Sequence, residues 1–472
     1  MTSKARESLQ ELHFLYASGL SLKTSLVVNY QADDDLTCMT KNLSFRDQEL
    51  IWHPYTQHFD HSLPIPIVRG KGALLYDDQG NTYIDAISSW WVNLHGHAHP
   101  YIAEKIYKQA LTLEHVIFTG FTHEPAVRLA ERLLNVLPNN LSKIFYSDNG
   151  STAVEVAIKM SIQYWQNLGA STKKRKKILA FHNAYHGDTF GAMSVSGRST
   201  FTSAFGEYLF EVIFIETPTD NNLAGLLSTV DKHAEEVCCF IYEPLLQGAG
   251  GMNIYEAGPL DVLLKAMKSK GILCIADEVL TGFGRTGKLF ASEYMETRPD
   301  ILCMSKGLTG GTLALGATAC TQNIFEAFLS EDRSKTFFHG HSFTANPIAC
   351  TAALASLDLL KKNECRLQIA GLVEKNKAFV ESIMQKSKQE ETDGKLFPVH
   401  GVRQLGTILA FDLRVDNQGY LNPIGKEITQ RAIKNGIYLR TLGNTDYIMP
   451  PYCISEQQLA QIYSFLQSLI KV

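Results

Sequence analysis

The chain has 472 residues, of which 45% are hydrophobic and 19% are charged, so it is long enough to bury a large core and to form two domains. Its formal net charge of −4 gives no electrostatic reason to expect nucleic acid or an anionic membrane as a partner. The nine cysteines include no CxxC pair, and no apolar run reaches the roughly 18 residues that a membrane span requires, so we expect a soluble cytoplasmic protein with reduced thiols.

Residues 1–44 differ in composition from the rest of the chain. They contain an amphipathic patch that Glu7, Glu11 and His13 interrupt, so the unbroken apolar core of a secretory signal is missing. The segment that follows Met39 would serve as a natural start of the protein. We therefore predict that 1–44 is a leader that is disordered or not native to the protein.

The folded region is predicted to begin with residues 45–99, which we assign to the N-terminal part of a small domain. Trp52–Thr56 (WHPYT) surrounds a proline that disfavours helix, which predicts an extended segment or a turn. Two short strands in 72–84, joined by a DQG turn, are typical of a hairpin. The adjacent Trp90 and Trp91 follow. Because successive side chains of a strand point to opposite faces, we predict that one of the two tryptophans lines a pocket.

Strands and helices alternate through 100–345, which predicts a large domain of the α/β class with a mostly parallel, doubly wound sheet. Polar residues that follow parallel strands gather at one edge of such a sheet. One strand is followed by a helix that begins near Gly150 and Ser151, where free backbone N–H groups and the helix dipole favour a phosphate. Another strand, 177–181, is followed by Tyr185, whose ring can stack on a flat cofactor.

The residues that carry chemistry concentrate in 271–308. The apolar run Ile272–Ala276 ends at Asp277, and a second run, Ile301–Met304, is followed by Lys306. Short unbroken apolar runs are typical of strands buried on both faces, so both side chains should lie at the carboxyl edge of the sheet. Pyridoxal phosphate requires a lysine amine for a Schiff base and a carboxylate that keeps its pyridine nitrogen protonated. The pair therefore indicates a pyridoxal phosphate site, although either residue alone is more often a turn cap or a solvated lysine.

Residues 346–472 are predicted to complete the small domain, with strands at LGTILAFDLR and YIMPPY. Arg440 lies between them in an apolar strand, where it forms either a structural ion pair or a fork for a substrate carboxylate. His339 and His341 invite a metal interpretation, but they lack a nearby third ligand, so no metal is predicted.

Taken together, these motifs resemble the class III pyridoxal-phosphate aminotransferases. The order ADE, GFGRTG and SKGLTGG is similar to that of the family, and the resemblance covers roughly residues 46–472. It implies the fold type I architecture and a homodimer with active sites at the interface. A transcriptional regulator built on the same fold would need a DNA-binding module, and the residues before 46 contain no helix-turn-helix pattern or basic patch.

Finer motifs narrow the resemblance to members of the family that act in biotin synthesis. These motifs are WHPYT, SSWW, YHGDTFGAMS and EPLLQGAGGM. They imply transamination of 8-amino-7-oxononanoate to 7,8-diaminononanoate, with S-adenosylmethionine, the usual donor in the family, or lysine supplying the amino group. Another ω-aminotransferase of the family, acting on ornithine, 4-aminobutyrate or a diamine, is the alternative.

The resemblance also implies roles for single residues. Lys306 would carry the cofactor, Asp277 would pair with the pyridine nitrogen, and Tyr185 would stack against the ring. Gly150 and Ser151 would bind the phosphate from one subunit. The other implied residues are His341 and Ser342, which reach the phosphate from the second subunit, Tyr55 as a catalytic residue in the aromatic wall, Trp90, Gly340 and Arg440 around the substrate, and Asp188 and Arg285 as supporting residues.

Overall fold

The computed structural model describes residues 42–59, 62–169, 174–393 and 396–470. The described residues up to Pro66 form one compact unit, and those from Ile67 onward form a second. Most of the predicted leader, 1–44, lies outside the described residues. In the first unit, helix α1 (Leu43–Leu50) is capped by Asn42, and the WHPYT segment contains a turn at Pro54 and Tyr55, as predicted.

The second unit alternates strands and helices along the chain. Its strands are β1 (Ile67–Lys71), β2 (Leu74–Asp77), β3 (Thr82–Asp85), β4 (Leu141–Ser147), β5 (Lys177–Phe181), β6 (Ile213–Ile215), β7 (Val237–Tyr242), β8 (Leu246–Gln247), β9 (Asn253–Ile254), β10 (Leu273–Asp277), β11 (Ile301–Met304), β12 (Gly316–Thr321), β13 (Val399–Leu405), β14 (Ile408–Leu413), β15 (Ile437–Tyr438) and β16 (Thr445–Ile448). Its helices are α2 (Ser88–Trp91), α3 (Pro100–Thr112), α4 (Glu124–Leu134), α5 (Gly150–Leu168), α6 (Phe190–Val195), α7 (Leu223–His233), α8 (Ala257–Ser269), α9 (Gln322–Glu326), α10 (Pro347–Lys361), α11 (Asn363–Thr392), α12 (Ile424–Lys434) and α13 (Glu456–Ile470). No helix in these described ranges combines the length and the apolar character that crossing a bilayer requires.

A seven-stranded sheet lies at the centre of this unit, in the order β4-β12-β11-β10-β7-β5-β6. Neighbouring strands from β11 to β6 are parallel, which confirms the mostly parallel sheet. Strand β12 is antiparallel to both of its neighbours, which the sequence analysis did not predict. The chain returns from β11 through residues 305–315, with only a single turn of 3₁₀ helix, whereas a parallel return needs a longer crossover.

Helices cover both faces of the sheet. Alternate residues of a strand point to opposite faces, so each face buries every second side chain against the helices on its side. On β10, Ile275 packs on one side with residues of α5, whereas Cys274 and Ala276 pack on the other with residues of α8. All three side chains are fully buried. A strand buried on both faces needs apolar residues at successive positions, which accounts for the unbroken run that predicted it.

The remaining sheets are smaller. The predicted hairpin is present as β2 and β3, and β3 pairs with β15 through Ile84 and Ile437. A three-stranded sheet combines β13, β14 and β16. The β3–β15 pair joins an early segment of the chain to a late one, which supports a small domain built from both ends of the chain. The boundaries at 45–99, 100–345 and 346–472 stay predictions.

Asp446 on β16 is a fully buried carboxyl group, and neither of its side-chain oxygens has a hydrogen-bond partner among the described residues. Burial, reinforced by the charge of Asp412, raises its pKa from 3.8 to about 8, although Arg431 opposes the shift. The folded chain therefore keeps a proton that the unfolded chain releases at acidic pH. Stability should fall as the pH rises from about 4 to about 8.

Asp446→Asn should remove this penalty, since the amide is shaped like the protonated acid and does not ionise. We expect the free energy of unfolding to rise by about 1–3 kcal/mol at pH 8.5 and by about a quarter of that at pH 5. Urea unfolding of both chains at both pH values measures the difference, and Asp416→Asn, at an exposed position, is the control. A gain that is the same at both pH values would contradict the buried-proton explanation.

Candidate active site

The predicted acid and amine lie beyond the ends of neighbouring parallel strands. Asp277 is the last residue of β10 and is level with Cys303 of β11, so Lys306 follows three positions later. Both side chains line one cavity of about 490 Å³. The sheet-edge argument thus placed them correctly, while their roles stay predictions.

Two hydrogen bonds hold the carboxylate of Asp277 in place. The ring Nδ1 of His186 donates to one oxygen at 2.7 Å, and the backbone N–H of Val279 donates to the other at 3.0 Å. The side chains of Asp277 and His186 are both buried. The backbone N–H of His186 donates to Ser196 Oγ at 2.9 Å, which holds the main chain at this residue. A buried carboxylate oriented in this way is suited to face a cationic ring nitrogen.

Lys306 has the electrostatics of a reactive amine. Burial lowers its pKa below the usual value, while the negative charges of Asp277 and Glu243 partly oppose the shift. Its Nζ lies 4.7 Å from the ring centre of Trp91 in the wall of the cavity. A lysine whose pKa is lowered by burial spends more time as the neutral, nucleophilic amine.

Glu243, the first residue of the EPLLQGAGGM motif, is a buried carboxyl group in the same cavity. Burial, reinforced by the charge of Asp277, raises its pKa to about 7, although His186 opposes the shift. It accepts hydrogen bonds from the backbone N–H of Tyr185 at 3.0 Å and of Gly248 at 2.9 Å. Glu243 therefore holds the loop that carries Tyr185, the predicted stacking residue, which also lines the cavity.

The amino end of α5 forms the other side of the cavity. The Asn149 side chain accepts from the N–H of Thr152, and the N–H groups of Gly150 and Ser151 have no acceptor among the described residues. The backbone at Gly187 lies very close to Ser151. Its φ is 132°, and a Cβ at this position would collide with Ser151 Oγ. Free N–H groups at a helix amino end are suited to a phosphate, so the predicted phosphate residues fit that group.

One of the two tryptophans lines a pocket, as predicted, but not for the predicted reason. Helix α2 (Ser88–Trp91) is a single distorted turn with positive φ at Ser88, Ser89 and Trp91 and is not part of a strand, so the argument from strand alternation is wrong. Trp91 is buried and lines the cavity, and its Nε1–H donates to Tyr447 Oη at 2.9 Å. Trp90, the predicted pocket residue, is 38% exposed and does not line the cofactor cavity.

Two buried charged residues hold this turn. Asp85 accepts the backbone N–H groups of Ile87 and Ser89, at 3.2 and 2.7 Å. The guanidinium of Arg285 donates to the carbonyls of Trp91 and Asn93, at 3.4 and 3.0 Å. Arg285 thus holds the turn through its carbonyl groups, while its supporting role in the site stays a prediction.

Arg440 follows β15 and is not within a strand, which corrects the predicted element. Its guanidinium lies 4.7 Å from the ring centre of Trp90, and Nη2 donates to Tyr420 Oη at 3.3 Å. Among the described residues it forms no ion pair with a carboxylate, so the structural ion pair left open by the sequence is not observed. Its charge is therefore available to an anionic ligand.

Some predicted residues lie outside this cavity. His341 and Ser342, predicted to reach the phosphate of a second subunit, and Gly340, predicted to lie near the substrate, are absent from the cavity lining of their own chain. Their roles stay predictions. Asp188 donates its backbone N–H to Ser151 Oγ at 2.9 Å, which fixes the phosphate side. Tyr55, in the first unit, has a φ of 52° and is 40% exposed, and its catalytic role stays a prediction.

A mixed sheet with these groups at its carboxyl edge defines the fold type I class of transferases. The chain belongs to the class III aminotransferases, since the family model described as "Aminotransferase class-III" matches residues 55–470. A protein of Synechococcus elongatus named adenosylmethionine-8-amino-7-oxononanoate aminotransferase is 47% identical over 430 residues, which cover 89% of this chain and 98% of that protein.

Solved structures agree with this assignment. A protein of the same name from Methanocaldococcus jannaschii is 38% identical and superposes with a TM-score of 0.84, over 91% of this chain and 98% of that one. An omega transaminase from Pseudomonas jessenii, solved in complex with PMP, is 26% identical with a TM-score of 0.82, over the same shares.

Proposed function

We propose that this chain transfers an amino group from S-adenosylmethionine to 8-amino-7-oxononanoate with the help of pyridoxal phosphate, which gives 7,8-diaminononanoate for biotin synthesis. One observation carries the proposal: Asp277, Lys306 and the amino end of α5 line the same cavity. The substrate follows from the names of the relatives, two of which are 47% and 38% identical over about nine-tenths of the chain.

The residues of the cavity fit pyridoxal phosphate. When bound, it supplies an electron-withdrawing ring that stabilises negative charge on the substrate carbon next to the amine. Lys306 would hold the cofactor covalently, and the N–H groups of Gly150 and Ser151 would hold its phosphate. Asp277, oriented by His186, would place negative charge beside the ring nitrogen and keep it protonated.

Lys306 would also move the proton. Its Nζ, as the neutral amine, would take the proton from the substrate carbon and return it later. Burial lowers the pKa of Lys306 and so favours the unprotonated amine that a general base requires. The ring of Trp91, beside Nζ, covers the amine on one side and keeps bulk water from it.

The substrate carries a carboxylate at the far end of an aliphatic chain, and Arg440 would bind it. The guanidinium has a flat aromatic surface at Trp90 and no competing carboxylate among the described residues. A planar fork of donors matches a carboxylate in two-point hydrogen bonding.

The function is tested by loading the protein with pyridoxal phosphate and following the cofactor's visible absorbance. The amino donor should discharge that absorbance, and 8-amino-7-oxononanoate should restore it while 7,8-diaminononanoate forms. S-adenosylmethionine and lysine are compared as donors in parallel. If ornithine or 4-aminobutyrate serves as substrate and 8-amino-7-oxononanoate does not, the chain is an ω-aminotransferase of another specificity.

Arg440→Ala should raise KM for the oxo-acid roughly 10- to 100-fold, because a hydrogen bond to a charged group is worth about 1.5–3 kcal/mol. KM for the donor should change little. Steady-state kinetics with each substrate varied in turn measures both values, and Arg366→Ala, at an exposed position, is the control. Equal increases for the two substrates would rule out carboxylate recognition by Arg440.

The proposal includes a homodimer in the cytoplasm. The side chains of Phe343, Phe338, Phe121 and Ile117 are more than half exposed, and Phe343 lies against His115 beside the loop that is predicted to reach the second subunit. Large apolar side chains exposed in this way are suited to a protein interface. The eight cysteines in the described residues are unpaired, in keeping with a reducing compartment.

A further inference from the structure

Tyr420 contacts the arginine that is proposed to bind the substrate carboxylate, although it belongs to none of the motifs found in the sequence. It lies in the loop 414–423, between β14 and α12. Its Oη accepts a hydrogen bond from Arg440 Nη2 at 3.3 Å, and its side chain is partly buried. The hydroxyl oxygen is therefore engaged as an acceptor, while its own proton remains to be donated.

The loop is anchored on the segment that follows Arg440. The N–H of Gly419 donates to Asn444 Oδ1 at 2.8 Å, and Nδ2 of Asn444 donates to the Leu413 carbonyl at 3.1 Å. At Gly443, whose φ is 65°, a Cβ would collide with the carbonyl of Gly419, so the two backbones are in close contact. Tyr420 and Arg440 are thus held by one connected piece of structure, and little ordering remains to be done when a ligand binds.

Aromatic rings connect this pair to the cofactor side. The ring of Tyr420 lies 4.5 Å from that of Phe201, and Phe201 lies 6.1 Å from Tyr185. The three rings line a cavity of about 910 Å³, and Tyr185 also lines the cofactor cavity. A long aliphatic chain that starts at the cofactor has an apolar wall to follow toward the hydroxyl of Tyr420.

We propose that Tyr420 is a positioning and specificity residue for the carboxylate end of the substrate. Its oxygen fixes Nη2 of Arg440, and its O–H donates a hydrogen bond to the same carboxylate that Arg440 binds. This inference rests on the proposed function, since it concerns the acid that is the amino acceptor. The O–H of Tyr420 would bind a charged carboxylate more strongly than an ester group, so the site should favour the free acid over its ester.

Tyr420→Phe tests the inference, because it removes the hydroxyl and keeps the ring against Phe201. With 8-amino-7-oxononanoate varied, kcat/KM should fall roughly 10- to 100-fold through KM, the range expected for one hydrogen bond to a charged group. KM for the methyl ester and for the amino donor should stay within about twofold of the unmodified enzyme. In an Arg440→Ala background the same change should have a much smaller effect, since the two residues address one carboxylate.

Tyr208→Phe, at an exposed position, is the control for loss of a tyrosine hydroxyl. Equal increases in KM for the acid, the ester and the amino donor would overturn the inference, because they would indicate a merely structural role for the loop. If the unmodified enzyme converts the acid and Tyr420→Phe is indistinguishable from it, the inference is wrong and the proposed function stands. If the unmodified enzyme does not convert the acid, the proposed function fails and the inference fails with it.

Discussion

Lys306→Ala is expected to remove turnover and the visible absorbance of bound pyridoxal phosphate together. The side chain is assigned both the covalent link to the cofactor and the transfer of the substrate proton. General acid–base catalysis alone contributes about 10²–10⁴-fold, so loss of both roles should lower kcat by roughly 10⁴-fold or more. Absorbance spectra of the loaded protein and an assay of 7,8-diaminononanoate formation measure the two effects separately.

Two further variants test whether the loss of turnover and absorbance comes from the missing amine at position 306. Lys306→Arg keeps a positive charge but cannot form the covalent link, so it should resemble the alanine variant in both measurements. Lys265→Ala removes an exposed lysine that pairs with Asp261 and Glu296, and it should leave both unchanged. An unaltered spectrum in Lys306→Ala would mean that another amine carries the cofactor.

The pH dependence gives a second expectation for the same residue. Because burial lowers the pKa of Lys306, the amine should begin to lose its proton at a lower pH than an exposed lysine does. The rate at which the cofactor-free protein takes up pyridoxal phosphate should therefore rise with pH and level off below the range in which exposed lysines titrate.

The sequence predicts well those features that depend on neighbouring residues and on strand direction. An apolar run that ends at Asp277 predicts a buried strand, and parallel strands bring their carboxyl ends to one edge. Lys306 and the amino end of α5 at Gly150 follow from the same rule. These residues could be placed together because the rule needs no knowledge of distant contacts.

Features that depend on distant contacts were missed or misplaced. The turn at Trp91 has positive φ angles that no local propensity favours, and it is held by Arg285, 194 positions away along the chain. The contact between Tyr420 and Arg440 depends on how a loop packs on a segment after β15. Its local signal was weak, since the glycines of GYLN and TLGN are typical of any turn.

Asp446 shows a further limit of sequence reasoning. An aspartate directly before YIMPPY is expected at a strand end or in solvent, since carboxyl groups are rarely fully buried. Its burial follows from the pairing of β16 with β14, which is a long-range contact. A buried acid without a partner therefore becomes visible only once the fold is known.

Asp277→Asn is expected to separate cofactor binding from catalysis. The amide can keep the hydrogen bond from Val279 and the shape of the site, so the cofactor should still bind through Lys306. It carries no negative charge, however, and so the ring nitrogen would lose the carboxylate that keeps it protonated. We expect kcat to fall about 10²–10³-fold, the usual effect of removing one oriented electrostatic group from an active site.

The decisive measurement is single-turnover kinetics of each half-reaction, because it isolates proton transfer from binding. Both halves should slow by similar factors, since both need the ring to withdraw charge, and cofactor absorbance should remain. Asp358→Asn, which removes a carboxylate paired with Arg132 away from the cavity, is the matched control and should leave both rates unchanged. Near-normal rates in Asp277→Asn would show that another group protonates the ring. His186, whose ring lies 2.7 Å from the same carboxylate, would then be the next residue to replace.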